Sequence, residues 1–370
     1  MTNKLLSHCF RQYDQFLLEH SSFWQFSSFT CSEWPWEQAA SLQQQINQAL
    51  AQLPRPVIPL PLNTHTVSTL PFWLTNAISG RKLAQINGFI QQFDSQQPVL
   101  EWCAGKGHLG RLLSFDRQLA VRSIEWQQTL CEQGQQLAQR YQLAQQFQHS
   151  DVMQLDATSL PADHTMIALH ACGDLHRRLL ERFTEVRGNE LFLAPCCYHL
   201  QAANCYQPMS ALARQSALQL AKVDLKLAVQ ELVTGGQRVE RLRATEQLWR
   251  IIFQLYRSEV SGDASYQPLP SVAKQLFTND IAQFMAWACQ QQGLIEPSRA
   301  ELIRLQPLAQ QRLQLVYRID QIRHLFRRPL ELWLLLDRAL FLEQQGYQVE
   351  LREFCQYQDS PRNTLIIAKR

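Results

Sequence analysis

The sequence predicts an α/β protein built on a doubly wound sheet of five parallel strands, completed by a C-terminal antiparallel hairpin. Three observations carry that prediction. Between Pro98 and Ala194, short apolar or β-branched runs alternate with longer stretches of helical spacing, the pattern of strands joined by crossover helices. Near the end of the chain, Tyr347–Phe354 and Asn363–Lys369 alternate and lie too close in sequence to pair other than antiparallel. The first strand of the series runs into a turn of small residues, Cys103-Ala104-Gly105-Lys106-Gly107, with a helical pattern directly after it.

Taken in order, residues 3–20 have the apolar spacing of a helix (Leu5, Leu6, Cys9, Phe10, Tyr13, Phe16, Leu17). Ser32 suits an N-cap and Pro35 a first turn, so a second helix is expected to run from there to about Leu53. Pro54, Pro56, Pro59 and Pro61 then stiffen a connector, which marks residues 1–60 as an N-terminal helical module. Its aromatic residues (Phe23, Trp24, Phe26, Phe29, Trp34, Trp36) are expected to pack against the main domain rather than form a binding surface. A helical pattern fills Phe72–Phe93. The core, 61–204, takes strands at Pro98–Trp102, Ala120–Glu125, Phe147–Ser150, Met166–His170 and Glu190–Ala194, with helices at Gly107–Phe115, Thr129–Tyr141 and Leu175–Phe183. Residues 205–345 read as a large helical insertion, broken near Gly235-Gly236, Gly262, Pro268–Pro270, Gly293, Pro297 and Pro307. Residues 346–370 return to complete the sheet.

Composition narrows the function classes. At 370 residues and 46% apolar, the chain can bury a large core. A net charge of +3 is too small to argue nucleic-acid binding by itself. Lys4, Arg11, Asp14 and Glu19 break any signal-peptide core, and apolar runs such as Leu332–Leu336 are too short to span a bilayer, so a cytoplasmic protein without a membrane partner is expected. Ten cysteines without a Cys-x-x-Cys pair read as reduced thiols.

A strand, a glycine turn and a helix N-terminus make the geometry that a nucleotide-like cofactor needs, although ordinary corners share it. Three carboxylates add to it: Glu101 closes the first strand, Glu125 the second, and Asp151 follows the third. Glu125 is placed to accept both ribose hydroxyls of an adenosine. Asp151 is placed to accept the adenine amine, with the Val152 N–H beside it. A carboxylate-rich first turn carrying Lys106 suits the sulfonium of S-adenosyl-L-methionine better than a pyrophosphate; NAD, which Glu125 would serve equally, stays as the alternative. Five parallel strands and a terminal hairpin make this the Rossmann-like sheet of a class I methyltransferase.

Three segments in order, Glu101-x-Cys-Ala-Gly-Lys-Gly-His-Leu, His170-Ala-Cys-Gly-Asp-Leu and Pro195-Cys-Cys-Tyr-His199, resemble the methyltransferase-like proteins of the "methyltransferase domain 32" type. That group is similar to the glutathione S-transferase C-terminal-domain-containing protein and, more distantly, to tRNA 2′-O-methyltransferases that modify the acceptor stem. The resemblance covers residues 72–200 and the final hairpin. It implies that Glu101, Cys103, Ala104, Gly105, Lys106 and Gly107 line the methionine part of the cofactor, that Glu125 holds the ribose and Asp151 the adenine, and that His170 and Pro195–His199 face the reacting methyl. No Asn-Pro-Pro-Tyr follows the fourth strand, and no Lys-Asp-Lys-Glu set is readable.

His199 is the first candidate for the base that takes the acceptor's proton, against a role limited to hydrogen bonding its loop. Asp174 stands either in the catalytic group or as a helix cap. Tyr198 either stacks on an aromatic acceptor or closes the pocket. Cys196 is a candidate nucleophile. Cys172, Cys196, Cys197, His199 and Cys205 lack the usual zinc spacing, so no metal is expected and the paired cysteines are read as small residues shaping a tight loop. Arg299, Arg304, Arg312, Arg318, Arg323, Arg327 and Arg328, against Glu301 and Asp320, make a basic block that suits RNA as the acceptor. Protein is the alternative acceptor, and a cofactor-binding protein without turnover is the alternative to an enzyme.

Overall fold

The computed structural model describes residues 2–37, 39–60, 70–76, 78–230 and 237–370; Pro61 and the break at Gly235-Gly236 lie outside them. The elements run α1 (Thr2–Glu19), α2 (Ala39–Ala51), β1 (Val57–Ile58), α3 (Phe72–Thr75), α4 (Gly80–Gln92), β2 (Val99–Trp102), α5 (His108–Arg117), β3 (Val121–Glu125), α6 (Gln128–Arg140), β4 (Gln145–His149), β5 (Thr165–Cys172), α7 (Asp174–Glu185), β6 (Glu190–Cys196), α8 (Ala211–Gln215), α9 (Lys222–Leu227), α10 (Gln237–Ser261), α11 (Ile281–Gln292), α12 (Arg299–Arg323), α13 (Arg327–Gln344), β7 (Gln348–Glu353) and β8 (Thr364–Lys369). Among the described residues no helix is long and apolar enough to cross a membrane.

One sheet holds all these strands, in the order β1-β7-β8-β6-β5-β2-β3-β4. Strands β2 to β6 pair in parallel, and β8 lies antiparallel between β6 and β7. This is the expected five-strand parallel sheet closed by a hairpin. The short β1, which adds in parallel at the β7 edge, is an element the sequence did not announce, because two residues carry no readable alternation. The chain order reverses between β2 and β5, and in open α/β sheets ligands bind outside the carboxyl ends of the strands at such a point. Every residue of β2 is buried, and Ile86, Phe89 and Ile90 of α4 with Leu109, Leu112 and Leu113 of α5 pack against Val99, Val121, Ile167 and Phe192.

The chain divides into two compact units that cut across the expected blocks. One comprises Met1–Glu19, Gln52–Gln230 and Arg327–Arg370; the other comprises His20–Ala51 and Glu231–Phe326. The N-terminal module is split because α1 belongs with the sheet. Phe10 packs on Trp333 at 5.2 Å, and Asp14 accepts hydrogen bonds from the Trp333 indole at 2.8 Å and from Ser216 at 2.5 Å. The expected insertion is split too. Fully buried Asp337 on α13 accepts the Tyr206 hydroxyl at 2.5 Å and the backbone N–H groups of Met209 and Ser210 at 2.9 and 2.7 Å.

In the second unit α10, α11 and α12 enclose a core that includes Phe253, Phe284, Leu305 and Val316. The N-terminal aromatics pack inside this unit rather than against the sheet: Trp24 stacks on Phe326, while Phe26 and Trp34 both meet Trp36. The helix expected to start at Ser32 starts at Ala39 instead. At the other end, α12 runs through Pro307, a residue on its solvent face where a missing backbone donor is tolerated.

Replacing Asp337 with Ala leaves two buried N–H groups and a hydroxyl without an acceptor. The expected cost is about 3 kcal/mol of stability, with faster hydrogen exchange at the Met209 and Ser210 amides. Unchanged exchange at those two amides would show that Asp337 does not hold the segment.

Candidate functional site

The turn after β2 is held in a conformation that few sequences adopt. Cys103, Gly105 and Gly107 all have left-handed φ, at 55°, 60° and 62°. The Ala104 N–H reaches back to the Ile124 carbonyl at 2.9 Å, which ties the turn to the end of β3. A Cβ on Gly105 would meet nothing within 4 Å, so the surface over this turn is open. A Cβ on Gly107 would lie 2.4 Å from Gln145 and from Phe147. One on Gly110 would lie 2.4 Å from the Glu101 carboxylate. Gly105-x-Gly107-x-x-Gly110 therefore has one glycine for ligand approach and two for helix-on-sheet approach. Gly110 belongs to the site although only the first two glycines stood out in the sequence; the spacing was the available signal.

Glu101 does not line the surface. It is 3% exposed and lies under α5. Its carboxylate accepts the Gly110 N–H at 3.1 Å and the Ser123 hydroxyl at 2.6 Å. The Gln145 amide lies 3.5 Å from the same carboxylate and donates to Ser123 at 2.9 Å and to the Gly107 carbonyl at 3.1 Å. Burial pushes the Glu101 carboxyl up to about 7, against the opposing pull of these donors. Its role is to position the turn, because a buried carboxylate answering a helix N–H has no face left for a ligand. Lys106 is exposed beside the turn.

Glu125 ends β3, and its two oxygens accept the Gly105 N–H at 2.8 Å and the Gln127 N–H at 3.0 Å. It is itself 5% exposed; it thereby links the glycine turn to the end of β3, with carboxylate lone pairs remaining for hydroxyl donors. Asp151 is exposed and shapes its own turn by accepting the Met153 N–H at 2.9 Å and the Gln154 amide at 3.1 Å; Val152 beside it is buried. Trp126, directly after Glu125, is 65% exposed, an aromatic face at the same strand end that the sequence reading passed over.

At the carboxyl ends of β5 and β6 the register shifts between Leu169 and Cys172. The irregularity leaves His170 with φ 66° and sets Cys172 opposite Cys196. His170 bonds Gln85 of α4 at 2.5 Å, and burial lowers its pKa, with Arg362 and Lys82 adding to the effect. Cys172 Sγ lies 3.3 Å from Cys196 Sγ, and Cys197 follows with φ 47°. His199 is half-buried; its Nδ1 is enclosed and without a hydrogen-bond partner among the described residues. Burial lowers its pKa as well.

Two further expected site residues make contacts that hold this loop and its surroundings. Tyr198 is 1% exposed and packs into the core, with the Arg338 guanidinium 4.8 Å from its ring centre and His176 at 5.7 Å. Asp174 is the first residue of α7, and its carboxylate accepts the Ala202 N–H at 2.7 Å. Gly173, with φ 57°, lets this corner meet Leu200, whose carbonyl would lie 1.7 Å from a Cβ there. Asp174 and Gly173 thus pin the loop that carries His199.

The basic block is largely committed within the protein. Arg304 pairs with Glu259, Arg318 lies over Trp34, and Arg323 pairs with Asp320. Arg327 donates to the Gln230 carbonyl, and Arg328 pairs with Glu331. Five of the seven arginines are thus answered within the protein, so the charge summed over the block overstates what a phosphate chain would meet.

Residues 81–204 match the model of a family described as "Methyltransferase domain", the type-32 group that the sequence resembles. This segment, which holds the glycine turn, Glu125 and both cysteine-bearing strand ends, is an S-adenosylmethionine-dependent methyltransferase domain. Among solved structures, the chain is similar to a Pyrococcus abyssi tRNA (uracil-54, C5)-methyltransferase in complex with S-adenosyl-L-homocysteine, at 15% identity over 36% of this chain and 31% of that one, TM-score 0.27. It is similar to a putative sarcosine dimethylglycine methyltransferase from Galdieria sulphuraria, at 13% identity over 33% and 43% of the two chains, TM-score 0.24. A third is a coclaurine N-methyltransferase bound to N-methylheliamine and S-adenosylhomocysteine, at 13% identity over 52% and 57%, TM-score 0.28. The chain spans about a third of the length of the first of these.

The raised Glu101 carboxyl has a defined consequence for stability. Its folded pKa of about 7 lies above the unfolded value, so the folded state holds the extra proton between them. Stability falls as pH rises from about 4.5 to about 7, by an amount on the order of 3 kcal/mol. Glu101→Gln keeps the acceptor for Gly110 and mimics the protonated form, so its urea midpoint is expected to be flatter across that range. An unchanged slope would assign the pH dependence to another group.

Proposed function

We propose that the whole chain is an S-adenosylmethionine-dependent methyltransferase whose acceptor is RNA. What supports the cofactor reading is the pairing of an unobstructed glycine turn with a carboxylate at the next strand end. Gly105 presents open backbone, and Glu125 fastens that backbone with one oxygen while keeping lone pairs for a ribose. Asp151 and Val152 are placed for the adenine, with Trp126 offering a ring face beside them.

The cofactor supplies a methyl already activated on a sulfonium sulfur. The protein's part is to orient the acceptor, exclude water and take a proton. His199 is the group for that proton, because it is only half-buried just past the end of β6 and its lowered pKa keeps the ring neutral near pH 7. Gln85 fixes the His170 ring by a hydrogen bond at 2.5 Å.

The RNA reading rests on charge at the strand ends rather than on the arginine block. Lys82 and Arg362 act on His170, and Lys222 and Lys226 act on His199, so cations approach both imidazoles. Phosphates flanking a target nucleotide suit that surround, and the contact would be salt-dependent.

Isothermal calorimetry should show S-adenosylhomocysteine binding to the wild type and an affinity at least about 100-fold weaker in Glu125→Ala, since two charge-assisted contacts are lost. A wild type that binds neither donor nor product would refute the cofactor site. Incubation with labelled donor and cell extract should leave label that nuclease removes and protease does not; the reverse result would make protein the acceptor. His199→Ala should lose transfer while retaining S-adenosylhomocysteine binding.

A further inference from the structure

We infer that Cys172, Cys196 and Cys197 form a three-thiolate site for a thiophilic divalent ion, zinc by its chemistry, at the carboxyl ends of β5 and β6. The three Sγ atoms all lie within 4.8 Å of one another. Zinc–sulfur bonds of about 2.3 Å in a tetrahedral arrangement place their sulfurs roughly 3.8 Å apart, so one ion can touch all three with little movement. The separation of Cys172 from the pair is long for a zinc motif in sequence, and the fold removes that objection. Cys172 and Cys196 are register partners across the β5–β6 ladder, brought opposite one another by the shift after Leu169.

Local backbone supports the same reading. Adjacent residues in an extended strand point to opposite faces, so neighbouring cysteines ordinarily cannot share an ion. Here Cys196 ends the strand and Cys197 leaves it with φ 47°, a conformation that costs a non-glycine residue free energy and that swings the second thiol back toward the first. Cys172 Sγ lies 3.3 Å from Cys196 Sγ, and Cys197 Sγ lies within 4.8 Å of both. Cys196 is 3% exposed while Cys172 and Cys197 are partly open, which leaves an entry path for an ion.

Among the described residues no fourth histidine, cysteine or carboxylate joins this cluster. Three protein ligands with one position left over is the arrangement of a zinc that takes an exchangeable ligand, in contrast to the closed four-ligand structural site. Binding would displace thiol protons to the buffer and hold the β5 and β6 loops together beside His170 and His199. The site stands on the thiol geometry alone and does not depend on the identity of the methyl acceptor.

The test uses the full chain, kept reduced with a phosphine, treated with zinc chloride and desalted. Elemental analysis is expected to give about one zinc per wild-type chain and less than about one fifth of that in Cys172→Ser/Cys196→Ser, with Cys205→Ser, outside the cluster, unchanged. Cobalt(II) in place of zinc should show sulfur-to-metal charge-transfer absorption that weakens with each serine introduced. Iodoacetamide mapping on the wild type needs no variant: Cys172 and Cys197 should be protected by zinc and labelled once a chelator is added. Absent zinc retention by the reduced wild type, or equal labelling with and without zinc, overturns the site. So does full retention by a double variant that still melts cooperatively.

Discussion

The cofactor end of the sheet depends on one buried carboxylate. Glu101 sits in β2 beneath α5 and answers the helix's Gly110 N–H, while Ser123 from β3 and Gln145 from β4 close the network around it. Three strands and a helix start are thereby fixed at one point, and Gln145 also holds the Gly107 carbonyl that begins α5. The arrangement tolerates no side chain at Gly110, because the carboxylate occupies the space a Cβ would need. A polar network in the core is costly unless every member is satisfied. Glu101, Ser123 and the Gln145 amide nitrogen all find partners, and the residual penalty appears as the raised carboxyl pKa.

Strain is placed where the chemistry is expected. Non-glycine residues in left-handed conformation include Cys103 and Cys197, which follow β2 and β6, and His170, which lies two residues before the end of β5, all at the carboxyl ends of the strands. Gln118, Gln142 and Arg187 share the conformation, but they sit in the connections that enter strands at the opposite end, where left-handed residues routinely end helices. The same backbone device is thus a terminator at one end of the sheet and a means of aiming side chains at the other.

Apart from the two-residue β1, the sheet was legible because its strands carry runs long enough to show their period, and because glycine and proline punctuate the connections. The positions of Glu125 and Asp151 were legible for the same reason: strand ends can be read, and the one ends β3 while the other follows β4. Burial direction was not. Glu101 and Glu125 look alike in sequence, each a carboxylate closing a strand, yet one turns under a helix and the other meets the turn. Tyr198 and His199 are neighbours, and only packing by Arg338 and His176 decides which of them belongs to the core. The division into units was equally hidden, since the contacts of Asp14 and Asp337 join segments far apart in the chain.

The arginines of α12 make the same point about charge. Summed over the sequence they form a basic stretch, but each guanidinium is judged by what it touches. Arg323 pairs with Asp320 and lies 5.4 Å from the Phe26 ring, and Arg304 is matched by Glu259. Charge already answered inside a protein contributes little to steering a phosphate chain. The cations near His170 and His199 are answered locally as well: Arg362 and Lys82 act on one ring and Lys226 and Lys222 on the other, and the Cys197 thiol opposes them at both.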